Sequence, residues 1–69
     1  MDAKFAEQGM GYGHVVVGEK PITEMVQRAH GQDIANAYNK VVAGVADDGE
    51  RKFVAAWVLD AEQPTAMSA

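Results

Sequence analysis

Three stretches of the chain carry a readable order of apolar and polar positions. His14-Val15-Val16-Val17-Gly18 is a short β-branched run, extended by propensity. From Ile22 the apolar residues fall at Ile22, Met25, Val26, Ala29, Ile34, Ala37, Tyr38, Val41 and Val45, mostly three or four apart, the spacing of one helical face. Pro21 stands where a first helical residue would, and Glu24, Gln27, Arg28, Asn36, Asn39 and Lys40 populate the polar side. The pattern predicts a helix over residues 21–45, with Gly31 as a point where it bends or breaks. Its apolar stripe drifts round the axis as repeats near 3.5 do, which favours packing along a partner helix.

Asp47-Asp48-Gly49-Glu50 admits two mechanisms. As a turn with glycine in the left-handed position it would join strands at 41–46 and 51–59. As a helix start, Asp47 is the N-cap and Glu50, three residues on, completes a capping box. Twelve alanines in the chain, Ala55-Ala56 among them, favour the helix, expected over residues 50–62 with Phe53, Val54, Trp57, Val58 and Ala61 on one face. Gly9-Met10-Gly11-Tyr12-Gly13 reads as part of a flexible arm over residues 1–13, and residues 63–69, small and proline-interrupted, as a flexible tail. The expected fold is therefore all-α: a short extended segment followed by a two-helix hairpin that assembles, in one helical domain of residues 14–62. The alternative is α+β, ordered strand, helix, β-hairpin.

Length turns this outline toward assembly. A 69-residue, 7.4 kDa chain buries only about 60% of its unfolded surface by the scaling for folded proteins. Ordering, on the order of 1.5 kcal/mol per residue, nearly cancels the apolar gain unless something staples the fold. Without cysteine the staple is neither a disulfide nor a thiolate metal cluster, which leaves oligomerisation or unusually good helix packing. Phe53 and Trp57, with Ile34, Tyr38 and Val41 facing them, are the expected self-assembly interface, because a two-helix unit cannot cover both sides of its own apolar stripe.

Charge narrows the partners. Six basic residues against ten acidic ones give a net charge of −4, and the bases are scattered, so a nucleic-acid partner is not expected. The longest uninterrupted apolar run, Phe53 to Leu59, is far short of the roughly 20 residues that cross a bilayer, and the first twenty residues fit neither a secretory signal nor a transit peptide. A cytoplasmic location is the expectation. Acidic residues cluster at Asp47-Asp48-Glu50 and Asp60-Glu62, with Asp33 on the facing helix. Copies stacked there would crowd like charges, raise their pKa values and associate more strongly as pH falls.

Candidate chemistry adds little. The one serine, Ser68, lies in the tail, and Thr23 and Thr65 have ordinary local roles, so no nucleophilic set stands out. His14, His30 and Asp33 are the minimum for a zinc site but lack any HExxH spacing. Gly9, Gly11 and Gly13 are spaced G-x-G-x-G, ahead of the strand-like run instead of behind one, unlike a nucleotide loop. The chain is expected to be non-enzymatic, with no catalytic residue, cofactor or metal. It reads as a structural subunit that forms a homo-oligomer or polymer. The rival reading is a small acidic inhibitor of phage type that binds a host protein.

One resemblance bears on that choice. Val16-Val17-Gly18-Glu19-Lys20-Pro21, with Met25 four residues past the proline and Asp33-Ile34-Ala35-Asn36-Ala37 beyond, resembles the start of the refractile-body (R-body) structural proteins of the killing-trait family. Val54-Ala55-Ala56-Trp57-Val58-Leu59-Asp60 is similar to a later segment of that family. The family's glutamine-rich middle is missing, and Arg28 and His30 replace apolar or neutral residues. The resemblance implies a cysteine-free, largely helical subunit that polymerises into a coiled ribbon extended by a drop in pH.

Overall fold

The β-branched run becomes the centre of a sheet. In the computed structural model, which describes residues 2–59, β2 (Tyr12–Val17) is flanked on one side by β1 (Ala3–Gly9), antiparallel, with Ala3 opposite Val17 and Phe5 opposite Val15. On its other side lie two short strands, β3 (Lys20–Pro21) and β4 (Val26–Gln27), both antiparallel to β2. They form one broken third row. Two helices follow, α1 (Arg28–Ala43) and α2 (Asp48–Trp57).

The fold is thus α+β, a four-stranded antiparallel sheet with two helices, and the all-α expectation is overturned. Nor does the strand–helix–hairpin alternative hold in its placement of strands, since residues 48–57 are helical. The glycine-rich stretch expected to be a flexible arm supplies β1 and its turn into β2, where Met10 adopts the left-handed φ of 55° between two positive-φ glycines. The proposed tail, residues 63–69, lies outside the described residues.

The helix expected from residue 21 starts seven residues later. Ile22, Met25 and Val26 match helical spacing, yet the chain over 22–25 bulges out of the third row, its backbone bonds made by other means. Ile22 N–H donates to the Val15 carbonyl at 2.8 Å, and the Thr23 hydroxyl accepts from Val15 N–H at 3.0 Å while donating to the Glu24 carbonyl. Thr23 is almost wholly buried, so this satisfied hydroxyl stands in for a ladder bond. Local polar chemistry here outweighs an apolar period that a helix would share.

α1 does not break at Gly31. The glycine is buried against Phe5, and a Cβ there would overlap the ring atoms Cδ1 and Cε1, so the missing side chain is what lets α1 lie close on β1. α1 ends at Gly44, in the left-handed region at φ 80°, with Val45 N–H bonded to the Lys40 carbonyl. At α2 the capping box is formed: the Asp47 carboxylate accepts from Glu50 N–H at 2.7 Å, and Glu50 accepts from Asp47 N–H at 3.0 Å. Lys40 bonds Glu50 at 2.8 Å and ties the two helices together. The core lies between the helices and one face of the sheet, built from Val15, Ile22, Val26, Ile34, Ala37, Val54 and Val58.

Candidate functional site

The five residues expected at an assembly interface divide between core and surface. Ile34 is fully buried inside the subunit, and Tyr38, Val41 and Phe53 are half-buried against the same core. Only Trp57 reaches the surface, 43% exposed, with its ring edge-on to His30 at 4.3 Å between centroids. Phe53 meets the same imidazole at 5.8 Å. His30 Nε2 is buried there with no hydrogen-bond partner among the described residues.

The polar groups considered for chemistry are apart and otherwise engaged. His14 donates from Nδ1 to the Thr23 carbonyl at 2.9 Å, whereas His30 is enclosed by the aromatic pair. No group of three or more His, Cys, Asp or Glu among the described residues could hold a metal ion. No helix among them is long and apolar enough to cross a membrane.

A different feature stands out, one the apolar pattern does not reveal: the outer edge of β1. Antiparallel pairing alternates residues whose backbone groups face the neighbour with residues whose groups face away. Asn39 fixes the phase. Its Oδ1 accepts from Ala3 N–H at 2.7 Å and its Nδ2 donates to the Ala3 carbonyl at 3.0 Å, so Ala3 faces away from β2. Phe5 and Glu7 must then do likewise. Val15, opposite Phe5, agrees, since its own N–H and carbonyl bond Thr23 and Ile22 on the far side. Among the described residues nothing bonds the outward backbone of Phe5 or Glu7. Beside them runs an open groove of about 440 Å³ lined by Ala3, Lys4 and Phe5 of β1 and by Gln32, Ala35 and Asn36 of α1.

The opposite edge of the sheet is blunted instead. Its row is interrupted at 22–25, carries Pro21, and has Leu59 N–H bonded to the Ile22 carbonyl at 2.8 Å. Near the open edge the Glu7 carboxylate takes Arg28 at 2.6 Å and Gly11 N–H at 3.1 Å. The Arg28 hydrogen bond, with that of Gly11 second, holds its pKa below the ordinary value of 4.5. The sequence signal for β1 is faint: Ala3-Lys4-Phe5 alternates, but Ala6 and Glu7 reverse the order before a glycine-flanked turn. Comparison with known proteins finds no matching family model, no similar curated protein and no similar solved structure.

Proposed function

We propose that this protein is a non-enzymatic structural subunit that associates with copies of itself. The observation that carries the reading is the β1 edge: ahead of the register shift at Glu7–Gly9, the outward N–H and carbonyl groups of Phe5 and Glu7 lack partners among the described residues, beside a groove lined by Gln32 and Asn36. Such an edge is a template for another strand. Natural folds blunt their edges with bulges, proline or covering chain; this sheet does so on its third row, whereas β1 between the Asn39 cap and the register shift at Glu7–Gly9 stays open.

Light scattering on the eluting protein tests it. A mass at least twice the 7.4 kDa of one chain is expected at tens of micromolar or below. A folded monomer throughout that range overturns the reading.

A further inference from the structure

The pattern of free and occupied groups on β1 selects one way for two copies to meet. Resting on the self-association proposed above, we infer that two chains pair β1 to β1 antiparallel about a two-fold axis at Ala6, joining their sheets into one.

Symmetric antiparallel pairing allows only registers in which outward-facing residues meet outward-facing residues. A register centred on Phe5 sets Phe5 opposite Phe5 of the second copy but sets Glu7 opposite Ala3, whose N–H and carbonyl are already taken by Asn39. One centred on Glu7 sets Phe5 opposite Gly9, where the strand is irregular. A register centred on Ala6 sets Phe5 opposite Glu7 twice and brings Ala3 only against Gly9, so the capped residue and the irregular one meet at the ends, where the pairing stops and the second strand must turn away from Asn39. Each such pair exchanges two backbone hydrogen bonds, so all four outward groups of each chain are satisfied and both Asn39 caps stay in place.

Side chains agree with this choice. On the helix-free face Lys4 meets Gln8 and Ala6 meets Ala6, so no like charges stand opposite one another. On the helix side Glu7 of the second copy stands opposite Phe5, beside the groove lined by Gln32 and Asn36, while its carboxylate keeps its own Arg28. The hydrogen-bonding groups of the edge are complementary to a second copy of themselves, and Asn39 acts as a stop that prevents the pairing from sliding toward Ala3.

The register can be trapped, because the native chain has no cysteine. At an Ala6-centred axis the two Ala6 residues form a non-hydrogen-bonded pair with Cα atoms about 4.5 Å apart, within disulfide range. Mild oxidation of Ala6→Cys with diamide should therefore double the mass on a non-reducing gel. Lys4→Cys should remain single, since its two copies would lie four residues apart along the strands, about 14 Å.

Glu7→Pro gives an independent reading. It removes one outward N–H without touching the β1–β2 ladder and should halve the mass in solution, whereas Glu7→Ala, which also lacks the Arg28 contact, should keep it. Circular dichroism confirms that each variant is folded. An associated native protein whose Ala6→Cys variant stays single, or whose Lys4→Cys variant links equally well, overturns the register and leaves self-association standing. So does a Glu7→Pro variant that is folded and unchanged in mass. A monomeric native protein with no cross-link in either cysteine variant overturns both.

Discussion

At the scale of single residues, two neighbours on α1 are held by what they lack. Gly31 has no side chain and so admits the Phe5 ring. Gly31→Ala gains about 1 kcal/mol of helix propensity but inserts a methyl into occupied space, which typically costs 1–3 kcal/mol. A net destabilisation of about 1 kcal/mol is expected in urea unfolding, and a gain in stability would show that the ring moves aside freely. Among the described residues His30 lacks a partner for Nε2, buried beside Phe53 and Trp57. A buried polar atom left unpaired costs about 1–3 kcal/mol, so His30→Phe, which keeps a flat ring in the aromatic cluster, should raise stability by about 1 kcal/mol. A lowered urea midpoint would mean that the imidazole is better satisfied than its surroundings suggest.

At the scale of elements, legibility followed the locality of the chemistry. The capping box at Asp47–Glu50 is contained in four residues, and it forms as read. Asp47→Ala should cost about 1 kcal/mol, measured by urea unfolding, with Asp47→Ser restoring most of it. An unaffected midpoint would mean that packing of Val54 and Val58 holds α2 without its cap. Elements whose bonds are distant were not legible. Ile22, Met25 and Val26 have helical spacing, and only the contacts of Thr23 with Val15, eight residues away, make that stretch a bulged row. β1 is similar: glycines 9, 11 and 13 suggest looseness until β2 pairs with the strand and Asn39, thirty-six residues on, ties down its first residue. The aromatic face of α2 was visible as a stripe, but spacing alone could not say that Ile34, Tyr38 and Val41 serve the subunit's own core while Trp57 remains at the surface.

At the scale of the whole molecule, the described acidic residues with shifted pKa values are paired with bases of the same chain. Within one chain Glu50 has its pKa lowered, first by the Lys40 hydrogen bond and then by Asp47 N–H. Asp48 is paired with Arg51, and Asp60 and Glu62 lie outside the described residues. Glu7 is lowered as well, by Arg28 first. A carboxylate whose folded pKa lies below its unfolded value stabilises the fold above that unfolded value, near 4.5, and loses the contribution as pH falls through the folded value. Lys40, raised above 10.5 by Glu50, is the mirror case: its contribution is present below 10.5 and disappears as pH rises through the raised value. From these three groups the stability of the fold should be level between about pH 6 and 8 and decline below about 4.5. Glu7 and Lys40 are exposed and Glu50 is half-buried at the surface, so the decline should be shallow and should shrink further in high salt. Glu7→Gln with Glu50→Gln checks the assignment, since glutamine at position 50 can still complete the capping box while both charges are gone. The double variant should have a lower urea midpoint at pH 7 and a flatter profile toward pH 3. An acid limb as steep as that of the native protein would place the titration on other groups.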